Sequence, residues 1–145
     1  MKVAFACDHA GFALKEAVIA HLKEMGHEVV DFGCYTPERV DYPAQGEKAA
    51  RAVASGECAL GVLICGTGIG ISLAANRVHG IRAAVCSESY SAELTRRHND
   101  ANMIAFGARV VGEGTSCAIL DAFFGATFEG GRHAQRVAML DEIRP

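Results

Sequence analysis

Short apolar runs alternate with longer stretches of helical period along the whole chain, and that alternation limits the fold more than any single motif. Residues 3–6 form an apolar run, and residues 12–25 follow with Leu14, Val18, Leu22 and Met25 on one stripe. Gly26 reads as a helix stop. Residues 28–32 read as a second strand and 33–41 as a loop. Pro43 then opens an alanine-rich helix. Residues 60–65 are a third strand, and a glycine-rich turn at 66–70 leads into a helix at 72–76. Strands at 81–85 and 103–106 flank a helix at 89–98; helices at 116–124 and 132–142 close the pattern. Strands alternating with helices predict an α/β fold with a five-stranded parallel sheet covered on both faces. Continuous apolar strands suit that arrangement.

With 145 residues, the chain is expected to form one domain over residues 1–145. Half the residues are apolar and 21% are charged, enough for a real core, which excludes whole-chain disorder. A net charge of -3 argues against general nucleic-acid binding. No apolar run approaches the roughly 18 residues of a spanning helix, so no membrane partner is expected. The first residues, MKVAFACDHAGFALKE, do not read as a signal peptide, because Asp8 and His9 interrupt the apolar stretch. A cytoplasmic protein is expected. The six cysteines form no C-x-x-C pair and read as reduced thiols, most of them buried fillers. The soft joint at 125–131 leaves the last helix free to reach a partner subunit.

Ligands of open parallel sheets sit beyond the carboxyl ends of the strands. That selects Cys7-Asp8-His9, the turn 65–70 and Cys86-Ser87-Glu88; Arg97-His98-Asn99-Asp100 joins them if the chain turns back there. Gly66, Gly68 and Gly70 let backbone N–H groups converge at a helix start, as an anion or a developing oxyanion requires. The alternative is a tight turn with no ligand. A dinucleotide fingerprint would need glycine at Ile71, and no Gly-Lys-Ser/Thr of a P-loop follows. Cys65, just before a helix N-terminus, gains thiolate character and suits a base or nucleophile; otherwise it is a strand-end filler. Asp8 could shuttle protons or cap the next helix. His9 could hold a phosphate or a hydroxyl. His21 and His27 read as surface or filler. His98 ends a helix, where a histidine more often caps than catalyses. Arg132 and Arg136, four apart, share a helix face and suit a phosphate clamp, or else a solvated face. With His133 they form one basic cluster whose nearest acid is Glu129. No H-E-x-x-H spacing or carboxylate cluster points to a metal, so none is expected.

Several long motifs, in order, resemble the type B ribose-5-phosphate isomerase family, which also contains the galactose-6-phosphate isomerase subunits. They are CDHAGF (7–12), DYP (41–43), ICGTGIGIS (64–72), AAN (74–76), GIRAAVC (80–86), RHNDANMIAFGARVVG (97–112) and FEGGRHAQRV (128–137). The resemblance implies a Rossmann-like three-layer α/β/α sandwich and a homodimer with sites at the subunit interface. Whether dimers pair into tetramers is not implied. It also implies cofactor-free, metal-free interconversion of an aldose phosphate and a ketose phosphate. By motif match, Cys65 would remove the C2 proton with help from Thr67. The amides of Gly66, Gly68, Ile69 and Gly70 would hold the enediolate. Asp8 would move protons between O1 and O2. His98 would open the furanose ring while Asn99 positions the sugar. His9, Arg109, Arg132 and Arg136 would hold the phosphate, and Tyr42 would line the pocket. His98, Asn99 and Arg109 would come from the other subunit. One branch of the family has a glutamate base where this chain has Ile71, so Cys65 assigns the chain to the cysteine-base branch. The full set in one chain favours a self-sufficient homomer. The alternatives are another phosphosugar (a tetrose, allose or galactose phosphate) or a non-catalytic nucleotide- or sugar-phosphate-binding module using Glu88 on a ribose.

Overall fold

The computed structural model describes residues 1–143. Five parallel strands stand in the order β2-β1-β3-β5-β4: β1 (Lys2–Cys7), β2 (Glu28–Asp31), β3 (Leu60–Cys65), β4 (Ala83–Val85) and β5 (Met103–Gly107). The helices are α1 (Phe12–Glu24), α2 (Tyr42–Ala54), α3 (Ile69–Ala75), α4 (Ser89–Asn99), α5 (Glu113–Gly125) and α6 (Arg132–Glu142). Side chains alternate across the sheet and feed two cores. Phe5, Cys7, Ile64 and Phe106 meet Val18 and Leu22 of α1, Ala92 of α4, and Ile119, Leu120 and Phe123 of α5. Ala6, Leu63, Cys65 and Ala105 meet Ala49, Ala50 and Val53 of α2, and Ile71 and Ala75 of α3. The result is the expected three-layer α/β/α sandwich. The alanines of α2 bring that helix close to the sheet over β1 and β3.

Three boundaries differ from the sequence reading by more than one residue. Helix α3 starts at Ile69 rather than residue 72, because Gly68 turns the chain in the left-handed region (φ +80°) directly after the strand. A Cβ on Gly68 would stand 2.8 Å from the Phe106 backbone, so only glycine fits there. Helix α5 begins at Glu113, behind Gly112, rather than at 116. Strand β4 begins at Ala83, not 81. The Ile81 N–H bonds Val78 and the Arg82 N–H bonds the Asn102 side chain, so neither N–H joins the ladder, although the Arg82 carbonyl accepts from the Met103 N–H. β4 is also an edge strand, half-buried to exposed, unlike the fully buried β3. The Asn76 side chain covers that edge: it accepts from the Ala83 N–H at 2.8 Å and donates to the Ala83 carbonyl at 2.9 Å.

The joint at 125–131 is tied down, since the Glu129 N–H donates to the Arg97 carbonyl at 3.0 Å. Helix α6 rests on α4 of its own chain. It buries His133 and Val137, ties Asp141 to Arg82 at 3.1 Å, and leaves Met139 and Leu140 exposed. All six cysteines are free thiols, and only Cys117 lies outside the buried set. Among the described residues, no helix is long and apolar enough to cross a membrane.

Candidate active site

The carboxyl ends of the central strands β1, β3 and β5 carry the first group of residues. Cys7 pairs with Ile64 in the β1–β3 register, so Asp8 falls opposite Cys65 one step further. The Asp8 N–H still bonds the Ile64 carbonyl at 3.1 Å. Asp8 is buried, and its Oδ1 accepts from the N–H groups of Ala10 and Gly11 at 2.9 and 3.0 Å. That oxygen fixes the turn ahead of α1 without capping the helix, whose N-cap is Gly11. A carboxylate held so rigidly keeps its second oxygen at a set position beside β3. His9 follows, with Nδ1 3.3 Å from the Val40 N–H that donates to it. This contact ties the loop after β2 to the end of β1.

Cys65 ends β3 and is 4% exposed. The Gly68 N–H donates to its sulfur at 3.1 Å, which aims Sγ into the turn. The Thr67 hydroxyl accepts from the Ile69 N–H at 3.2 Å. The Gly68 and Ile69 amides are thus taken inside the turn, and those of Gly70 and Ile71 are the first of α3 with no partner earlier in the helix. Tyr42, at the start of α2, lies on Gly70: a Cβ there would be 2.7 Å from the ring. Arg109 follows β5, and its N–H donates to the Gly66 carbonyl at 3.1 Å. Its guanidinium lies over Gly66, with Nη1 3.2 Å from where a Cβ would be. Within one chain, Arg109 therefore lies beside the Cys65 turn. Lys15, to which the sequence reading gave no role, braces this end from below. Its buried ammonium pairs with Asp31 at 2.6 Å and donates to the Cys34 carbonyl at 2.5 Å.

His98, Asn99, Arg132 and Arg136 are not at this end. Helix α4 leaves the carboxyl end of β4 and runs back against the strand direction. Eleven residues carry it about 16 Å, to the amino end of the sheet. Asp100 then turns the chain in the left-handed region (φ 47°) into β5. Arg132 and Arg136 gather there through the α6–α4 contact. An open groove of about 540 Å³ lies alongside, lined by Arg82, Thr95, Asn99, Leu140 and Ile143 among others.

Around His98 the side chains are tightly ordered. The His98 and His133 rings stack with centroids 4.3 Å apart and planes within 7°. Glu129 Oε2 lies 3.7 Å from the Nε2 of His98 and 3.6 Å from that of His133. Its Oε1 accepts from Arg97 Nε at 2.8 Å, and Arg97 holds Glu93 as well. Glu129 thus serves Arg97, not the Arg132/Arg136 pair. The Arg97 hydrogen bond keeps the Glu129 carboxyl below its ordinary range. Burial, then the neighbouring His98 and Arg132, pushes His133 down and favours its neutral form. The ligand atoms of His98, Glu129 and His133 lie within 4.8 Å of one another. The rings are parallel, however, so their in-plane lone pairs run side by side instead of converging on one ion. The sequence reading placed His133 in the basic cluster and missed its burial; the i, i+4 spacing of Glu129 and His133 was the available signal. Glu88, offered above as a ribose acid, instead caps α4 through the Ser91 N–H at 3.0 Å.

A parallel three-layer fold with a thiol, a carboxylate and open amides at one strand end defines a class suited to proton transfer on a small anionic ligand. The model of the ribose/galactose isomerase family matches residues 3–140, and the chain belongs to that family. Ribose-5-phosphate isomerase B of Escherichia coli (strain K12) is 57% identical over 142 residues, which cover 98% of this chain and 95% of the relative. The solved structure of Clostridium thermocellum ribose-5-phosphate isomerase B superposes with a TM-score of 0.96 at 54% identity, covering 98% of this chain and 96% of the other. Mycoplasma genitalium ribose-5-phosphate isomerase B, solved with bound ribulose 5-phosphate, superposes with a TM-score of 0.92 at 37% identity, covering 97% and 93%.

Proposed function

We propose that this chain interconverts ribose 5-phosphate and ribulose 5-phosphate through an enediolate, as a homodimer in which each site draws on both copies. The observation that carries the reaction is Cys65: its sulfur takes the Gly68 N–H at the end of β3, with the rigid Asp8 carboxylate opposite in register. Isomerisation moves one proton from C2 to C1 and one from O2 to O1. Cys65 takes the C2 proton and returns it to C1. Thr67 and the amides of Gly66, Gly68, Ile69 and Gly70 hold the oxygen that becomes negative. Asp8 carries the hydroxyl proton across. Tyr42 walls the pocket against Gly70. His9 and Arg109 hold the phosphate from this side, which orients C2 over the thiol.

The remaining groups support the dimer. His98, Asn99, Arg132 and Arg136 lie a helix length from Cys65 within one chain, at the exposed end where α6 shows Met139 and Leu140. A second copy presenting that end would bring a ring-opening imidazole, a positioning amide and two phosphate-binding guanidiniums to each thiol. The whole chain acts as one catalytic domain per copy, and its free thiols suit the cytoplasm. The non-catalytic reading loses its ribose acid to the α4 cap. The family's span from ribose to galactose leaves sugar length to be read by rates on four-, five- and six-carbon phosphates.

The test is a direct assay on ribose 5-phosphate in EDTA beside Cys65→Ala. The wild type is expected to turn over, and the variant to lose about a thousandfold in kcat while still binding the sugar. A wild type idle on every phosphosugar, or a variant with most of its activity, would refute this reading.

A further inference from the structure

The mechanism above uses His98 but not the two groups packed against it. His133 is 7% exposed, and its Nε2 is buried without a hydrogen-bond partner. A buried, unsatisfied imidazole is costly and calls for an explanation. Its ring stacks on that of His98, with centroids 4.3 Å apart and planes nearly parallel. Glu129 stands at the edge of both rings, and the Arg97 bond prevents it from swinging away. From these contacts we infer that His133 and Glu129 are positioning residues for His98, holding its ring and stabilising its charged form while the sugar ring opens.

This inference rests on the isomerase reading. In ring opening, His98 takes the proton from the C1 hydroxyl. The C1–O4 bond then breaks, O1 becomes the aldehyde oxygen, and the imidazolium gives its proton to O4. The imidazole ends as it began, so the step needs no other reagent. The cation exists only between the two transfers, and whatever favours it then speeds the step. A neutral stacked ring offers its π-face to that cation, and Glu129 offers negative charge at 3.7 Å. The other charged groups around the stack are Arg97 on α4, and Arg132 and Arg136 on α6. All three are cationic and oppose an imidazolium. Glu129 offsets Arg97 directly, and a neutral His133 spares His98 a further positive neighbour.

Opening a ring and moving a carbon-bound proton can be measured separately. Ribose 5-phosphate is a furanose, whereas ribulose 5-phosphate cannot close a ring through its phosphorylated O5. Cys65 can therefore exchange the C1 proton of the ketose without any work by His98. For His133→Leu, which fills the space without a π-face, kcat on ribose 5-phosphate should fall about fivefold to tenfold. KM should stay within about twofold, and the initial rate of solvent deuterium entry at C1 of ribulose 5-phosphate should be unchanged. His133→Phe, which restores the face, should recover most of the loss, with both variants melting as cooperatively as wild type. Equal losses in the two assays, or no loss on ribose 5-phosphate, would overturn the inference. A wild type that neither turns over nor exchanges would instead overturn the isomerase reading beneath it.

Discussion

Cys65 differs from the other buried thiols in what its sulfur touches. Cys7 faces Cys34 at 3.9 Å, and burial together with that neighbour pushes it up to about 12. Burial beside Glu88 pushes Cys86 up to about 11. Both stay protonated at pH 8 and are poor nucleophiles. Cys117 is the most accessible thiol, but it sits on α5 among Glu113 and Asp121, away from the strand ends, and it too is raised. Cys65 alone receives a backbone N–H from the glycine turn. Iodoacetamide at pH 8 should therefore inactivate the protein through Cys65, with ribose 5-phosphate slowing the loss. Peptide mapping checks this. Label on Cys117 should leave activity intact, and inactivation that follows Cys117 would contradict the role given to Cys65.

Among the elements, the strand–turn–helix unit from β3 to α3 sets the chemistry. Gly68 combines φ +80° with a Cβ position 2.8 Å from the Phe106 backbone. Gly68→Ala should cost about 2–3 kcal/mol in denaturant unfolding and lose most activity, because both the turn and the N–H on Cys65 shift. A stable, active alanine variant would show that the turn is not as constrained as its geometry indicates. The same unit shows what the sequence could and could not reveal. β3 was legible to the residue, since a six-residue apolar run at the sheet centre is buried on both sides and nothing competes with it. The start of α3 was not, because glycine marks a turn without stating which side of it is helical. β4 was overread, because Ile81 packs into the same core as the sheet while its N–H bonds Val78 in a turn rather than a neighbouring strand. That Cys65, Asp8 and the glycine turn gather at one sheet end was legible, since the strand-end rule selects them from topology alone. The His98–His133 stack was not, because it forms only once the coil at 126–131 folds back onto Arg97.

At the scale of the molecule, the proposed dimer draws on the two opposite ends of one sheet. The carboxyl end holds the thiol, the carboxylate and the open amides; the amino end holds the ordered imidazole and the two arginines. A parallel sheet with returning helices keeps these ends apart in one chain, yet two copies can bring each into register with the other. On this reading a working site needs two chains. Cys65→Ala and His98→Asn tested separately on ribose 5-phosphate should each be nearly inactive. Unfolded, mixed in equal amounts and refolded together, they should recover about a quarter of wild-type activity, since half the dimers are mixed and each has one intact site. A mixture no more active than its two components would contradict a shared site.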